Sequence, residues 1–220
     1  MTIAEHHPQH ALALLLIDVI NDFDFPGAES LVAEASRAAP RIASLLQRAR
    51  QMGAPVIYVN DNFGHWRSDF HATVARCSDP RRPAAALVQR LAPSASDFFV
   101  LKPMHSGFFH TPLELLLDEL GSQMLILCGF ATNSCVAFTA HDAHMRGFSL
   151  VVPEDTTAAN SPEQCASALQ HLATTVRADT RNSEALRLEE LVLRASHGGG
   201  RRGRGKGSLL PSQLLREHQR

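Results

Sequence analysis

The sequence predicts a three-layer α/β/α domain built on a mainly parallel six-stranded sheet. Six short apolar runs alternate along the chain with longer segments of helical period. Those runs are apolar almost throughout and do not alternate with polar residues, as strands covered on both faces must be. The 220 residues, 45% of them hydrophobic, suffice for one domain, and a chain of that size buries roughly 70% of its unfolded surface.

The first strand spans 11–17, where ALALLLI runs unbroken to Asp18. A long helix at 28–52 leads to a strand at 55–60 (PVIYVN). A helix at 84–91 and a strand at 97–101 (DFFVL) follow. The helix at 112–120 is the best specified. Thr111 serves as its cap, Glu114 completes a capping box, Leu113, Leu116, Leu117 and Leu120 form one face, and Gly121 ends it. Next come a strand at 123–129 (QMLILCG), a helix at 133–146, a strand at 148–152 (FSLVV) and a helix at 162–172. The β-branched run TTVRA at 174–178 predicts the sixth strand, and a last helix lies near 183–194. The connection 60–82 is long for a structureless loop and carries Phe63, Trp66 and Phe70, which points to a lid or a subunit contact.

The formal net charge is only −1, which argues against a body that binds polyanions. Residues 197–220 hold six basic residues and one acidic residue, leaving −6 on residues 1–196. This marks a folded domain over 1–196 and a basic Gly/Arg tail over 197–220. Without aromatics, the tail reads as a disordered, solvated segment and not as a nucleic-acid arm. The longest apolar run is far shorter than the roughly 20 residues that span a bilayer. No Lys or Arg precedes it, so neither a membrane span nor a signal peptide is expected. Cys77, Cys128, Cys135 and Cys165 lack CxxC spacing and suit free thiols in a cytoplasmic protein.

In such Rossmann-like sheets ligands sit beyond the carboxyl ends of the strands. The first strand ends in Asp18, the third in Lys102, and the fourth leads through Gly129 to Cys135 in the first turn of the next helix. Alone, an Asp after a strand is an ordinary turn residue, a Lys is ordinarily solvated, and a Cys among small residues is ordinary core filler. Together at one rim they form a nucleophile with its helpers. A helix N-terminus and the Lys102 ammonium both favour the thiolate, so the sequence predicts an ionised Cys135 at neutral pH. The segment Gly129-Phe130-Ala131-Thr132-Asn133-Ser134-Cys135 turns backbone N–H groups toward the same place, as an oxyanion hole requires.

Three stretches, LLLIDVINDF at 14–23, KPMHSGFFHTPLELLLDELG at 102–121 and LILCGFATNSCVAFTAHDAHMRGF at 125–148, resemble the isochorismatase-like cysteine hydrolase superfamily. This group includes nicotinamidase, N-carbamoylsarcosine amidase and ureidoacrylate amidohydrolase, and the order of elements agrees with it from about 11 to 180. The resemblance implies a catalytic triad of Asp18, Lys102 and Cys135. It also implies a non-proline cis peptide between Phe130 and Ala131, with the N–H groups of Ala131 and Cys135 as the oxyanion hole. A homodimer or homotetramer is implied as well.

Nicotinamidases carry an Asp-x-His pair and a further His for a metal after the second strand, and Asp61, His65 and His71 do not have that spacing. Solvated loop polarity is the plainer reading of these three. His141 and His144 share a helix face but lack a third ligand, so no metal and no cofactor is expected. Isochorismatases that cleave a vinyl ether resemble this fold but lack the nucleophilic Cys, so Cys135 points to an amidase. Asp22 and Asp24 read as caps and solvated loop. Phe23, Phe25, Trp66 and Phe108 are the candidate substrate pocket.

The expected function is a metal-independent cysteine amidohydrolase acting on a small amide, ureido or carbamoyl compound. Its acyl-enzyme thioester is hydrolysed by water that Asp18 activates. The alternatives are a hydrolase of a larger amide or lactam and, from a different class, a binding module whose basic tail engages RNA or a partner. A binder has no need of Asp, Lys and Cys at three strand ends.

Overall fold

Every residue of Leu12–Ile17 (β1) is buried, because the strand lies at the centre of the sheet with helices on both sides. The computed structural model describes residues 8–63 and 69–197. From β1 the chain forms α1 (Ala28–Gln51), β2 (Val56–Asp61), α2 (Phe70–Cys77), α3 (Ala85–Arg90), β3 (Phe98–Lys102) and α4 (Leu113–Leu120). It continues through β4 (Met124–Phe130), α5 (Ala137–Met145), β5 (Ser149–Val151), β6 (Thr157–Ala158), α6 (Pro162–Thr175) and α7 (Leu188–His197).

The strand order is β3-β2-β1-β4-β5, and β6 pairs with the carboxyl end of β4. All these pairings are parallel. Alternate β1 residues serve opposite layers. Leu12, Leu14 and Leu16 pack with α1, α3 and α7, whereas Ala13, Leu15 and Ile17 pack with α4, α5 and α6. Each fully buried Leu or Ile contributes roughly 1.5–3 kcal/mol, so this two-sided burial holds the central strands in register. The direction of strand addition reverses between β1 and β4, and the crevice there lies above Asp18 and Phe130.

The sheet has six strands as expected, but the sixth is not 174–178. Helix α6 continues through Thr175, since Leu169, Leu172 and Val176 keep a helical spacing toward the core. Only Asp179 then bridges Val151. The true sixth strand has two residues, too few to leave a pattern in the sequence. The connection 60–82 contains α2, which begins where the Asp69 carboxylate accepts the His71 N–H at 2.8 Å. Phe70 anchors this helix on Tyr58 and stacks on Phe99 at 4.8 Å. Helix α4 starts at Leu113. Thr111 Oγ1 still accepts the Leu113 N–H at 3.3 Å, while Glu114 pairs with Arg146.

Tyr58 ties β2 to the layer above it. Its hydroxyl donates to the Leu91 carbonyl at 2.7 Å and accepts from Arg50, which also pairs with Asp97. Tyr58→Phe is expected to destabilise the fold by about 1–2 kcal/mol, because a buried carbonyl loses its donor. Urea denaturation measures this, and a shift under about 0.3 kcal/mol would show that the hydroxyl adds nothing.

Candidate active site

The three strand-end residues meet. Asp18 takes a left-handed backbone conformation, φ 51°, as the chain leaves β1. Such a conformation costs a non-glycine residue of order 1 kcal/mol and turns the carboxylate back over the sheet end. The Asp18 N–H donates to the Val59 carbonyl at 3.0 Å, and Asn60, fully buried, donates to Ile20 O and accepts from Ile20 N. The loop after β1 is thereby clamped to β2.

Lys102 ends β3 with no exposed surface. Its Nζ lies 2.9 Å from Asp18 Oδ2, 3.5 Å from Cys135 Sγ and 3.7 Å from Asp61 Oδ2. Asp18 Oδ1 accepts the Asp61 N–H at 2.7 Å. Cys135 sits in a five-residue π turn, Thr132–Val136, that leads into α5.

The turn is reached through Gly129 and a cis peptide between Phe130 and Ala131. Gly129 has φ 116°, and a Cβ there would stand 2.0 Å from the Ile17 carbonyl oxygen. Only glycine lets β4 pass that close to β1 before it turns. The Ala131 carbonyl accepts from Ser134 and Val136 at 3.1 and 3.2 Å. This leaves the opening N–H groups of the turn at a helix start, where donors lack intrahelical acceptors.

The electrostatics revise one expectation. Burial pushes the Cys135 thiol up, the Asp18 carboxylate adds to this, and Lys102 opposes both, leaving the thiol at about 12. Burial and Asp18 thus work against the ionised thiol that Lys102 favours. Burial also raises Asp18, against the pull of Lys102 and a hydrogen bond with Cys135. Burial acts to lower Lys102, but Asp18, Cys135 and Asp61 outweigh it and hold the ammonium above its usual range.

The other candidates disperse. Phe23 is buried against Phe130, with ring centroids 6.3 Å apart, so it borders the site, and the exposed Phe25 lies 6.3 Å beyond it. Phe108 is buried. It packs in the core on Phe148 beneath the Arg146 guanidinium. Trp66 and His65 lie outside the described residues, as does the tail from 198 onward. Asp22 is not solvated loop but a buried acid paired with Arg76, while the exposed Asp24 pairs with Arg82.

Asp61 turns to Lys102 and His71 to Asp69, so these side chains do not converge on a metal. His141 packs against His171, with ring centroids 5.2 Å apart, beside a cleft of about 730 Å³ between α5 and α6. Among the described residues no group of three or more His, Cys, Asp or Glu could hold a metal ion.

Two site neighbours were not singled out as partners of the triad. Asp61 is the second carboxylate on Lys102. The His105 Nδ1 lies 3.9 Å from Cys135 Sγ. The only signal in the sequence was the position of His105, three residues beyond Lys102.

The Isochorismatase domain model matches residues 12–183, most of the described chain. The chain belongs to the isochorismatase family. This isochorismatase-family hydrolase is 38% identical over 174 residues to an isochorismatase family protein of Bacillus subtilis, covering 79% of this chain and 95% of that one. It is 30% identical to the ureidoacrylate amidohydrolase of Azorhizobium caulinodans, covering 69% and 78%. The crystal structure of N-carbamoylsarcosine amidase from Thermoplasma acidophilum superposes with a TM-score of 0.62 at 27% identity, over 80% of this chain and 98% of that one. No helix among the described residues of this isochorismatase-family chain is long and apolar enough to cross a membrane.

Proposed function

We propose that this protein is a cysteine amidohydrolase that cleaves the C–N bond of a small amide, ureido or carbamoyl compound through a thioester. The observation that carries this reading is Lys102 Nζ, held 2.9 Å from Asp18 and 3.5 Å from Cys135 Sγ where three strands end. The names of two relatives, an ureidoacrylate amidohydrolase and an N-carbamoylsarcosine amidase, supply the substrate class.

With a thiol pushed up to about 12, attack begins with transfer of its proton to Asp18. The Sγ electron pair then forms a bond to the substrate carbonyl carbon. Lys102 steadies the thiolate during this transfer, so the high resting value delays ionisation without preventing it. The opening N–H groups of Ala131 and Cys135 receive the developing oxyanion. Asp18 returns the proton to the departing nitrogen, the C–N bond breaks, and ammonia or an amine leaves. Water then releases the acid from the thioester. The scheme routes no step through a metal.

An ammonia-release screen over small amides, carbamoyl compounds and ureas, run with and without EDTA, tests the reading. At least one compound is expected to turn over equally in both conditions. Activity that EDTA abolishes and added zinc, iron or manganese restores would overturn the metal-free assignment. Release of ammonia by a Cys135→Ala protein would overturn the nucleophile.

A further inference from the structure

The 3.5 Å between Lys102 Nζ and Cys135 Sγ spans two separate chain segments, the end of β3 and the π turn after β4. A lysine on a flexible four-carbon stem keeps so short a separation only where the two backbones are fixed to one another. Thr139, on α5 one turn beyond Cys135, supplies that fixation. It is fully buried. Its hydroxyl donates to the Cys135 carbonyl at 2.7 Å and accepts the N–H of Gly107, five residues beyond Lys102, at 3.0 Å.

The Gly107 end is held as firmly. Its carbonyl accepts from Thr111 Oγ1, and a Cβ there would stand 2.7 Å from Val59 Cγ1 and 3.1 Å from Leu113 Cδ2, so this backbone lies directly on β2 and α4. Val59 is also the residue whose carbonyl accepts the Asp18 N–H. Ser106, next in the chain, donates to Asp142, again on α5. A closed path therefore runs from Lys102 to Gly107, across the Thr139 hydroxyl to Cys135, and back over the gap between sulfur and ammonium. A threonine hydroxyl bonded to the carbonyl four residues back is common in helices and by itself signals nothing. The second bond, from a buried N–H of another segment, makes this hydroxyl a link.

We propose that Thr139 is a positioning residue whose hydroxyl sets the separation of the Cys135 sulfur from the Lys102 ammonium, a role that rests on Cys135 being the nucleophile. The hydroxyl touches no reacting atom. Its removal leaves the Gly107 N–H buried without this acceptor, and a buried donor that has lost its partner is costly enough for the segment to shift and seek another. Lys102 belongs to that segment, so the ammonium moves relative to the sulfur. A misplacement of about 1 Å costs up to roughly 10²-fold in rate, and here the loss falls on formation of the thioester. Thr139→Val keeps the shape of the side chain and loses both hydrogen bonds. Thr139→Ser keeps both bonds and loses only the methyl group.

The test uses p-nitrophenyl acetate and the full-length protein, with a thermal melt to establish that each variant is folded. The nitrophenolate burst reports acylation of Cys135, and its dependence on ester concentration separates binding from the rate at saturation. Thr139→Val is expected to lower the saturating burst rate roughly 10- to 100-fold, with the half-saturating concentration within about twofold, and Thr139→Ser to stay within about threefold of wild type. Alkylation of Cys135 by iodoacetamide, mapped by peptide mass, should slow in the valine variant and not in the serine variant. A merely structural role would lower the melting midpoint of Thr139→Val and leave its burst rate at the wild-type value, which would overturn the proposal. Equal slowing in both variants would assign the effect to the methyl group and overturn it as well. Should Thr139→Val fail to fold, Thr139→Ala against Thr139→Ser decides the same question, since both lack the methyl and only serine keeps the hydroxyl. A burst that survives in Cys135→Ala would overturn instead the nucleophile assignment beneath it.

Discussion

Cys135→Ala is expected to yield a folded protein whose turnover falls by at least about 10³-fold, because the proposed thioester loses its sulfur. The thiol is half-buried and its replacement is the next smaller side chain, so the cavity is small and the thermal midpoint stays within a few degrees. Cys165→Ala is the control. Its sulfur lies in reach of Thr132 on the far side of the π turn, and its loss leaves turnover within about threefold. Turnover of the substrate found in the amide screen and a thermal melt measure both effects. Turnover retained in Cys135→Ala would mean that the chemistry uses another nucleophile.

Lys102→Met removes activity and stability together. The ammonium is the charged partner of the Asp18 carboxylate, 2.9 Å away, beside the Asp61 N–H at 2.7 Å, and both side chains are buried. Breaking a buried pair from one side costs about 3–5 kcal/mol, because the remaining charge stays uncompensated. The loss depends on pH with a definite sign. Burial already raises Asp18, and without Lys102 its folded value rises further above the unfolded one. The folded protein then binds a proton that the unfolded chain does not, so stability is greatest below the unfolded value and falls as pH climbs through the folded value. The variant is expected to recover part of its lost stability between about pH 8 and about pH 5. Denaturant midpoints for wild type and variant at both values measure this. A destabilisation independent of pH would show that Lys102 acts by packing alone.

The rim was legible because its logic is local. Asp18, Lys102 and Cys135 each stand just beyond an apolar run that could only be a buried strand, and parallel strands deliver their carboxyl ends to one edge. What escaped was short or contextual. Thr157–Ala158 is too brief to show a period, and α6 overrode the β-branched run Thr174–Val176 because Leu169, Leu172 and Val176 had a core to face. Phe108 follows the same rule. An aromatic near a catalytic lysine suits a pocket or a core equally, and packing against Phe148 placed it in the core.

By itself, then, the sequence determined the layered parallel sheet and which three side chains gather at its edge, since these follow from runs of apolar residues and from where those runs stop. The charge state of the site was decided only in the tertiary structure. A cysteine beside a lysine at a helix start predicts a thiolate. Burial and the neighbouring Asp18 oppose that preference, and both depend on how deeply the assembled layers enclose the rim. The neighbours of the triad were decided there too. Asp61 and His105 reach Lys102 and Cys135 only because β2 lies beside β3 and the segment after Lys102 is tied to α5, distances that spacing along the chain does not encode.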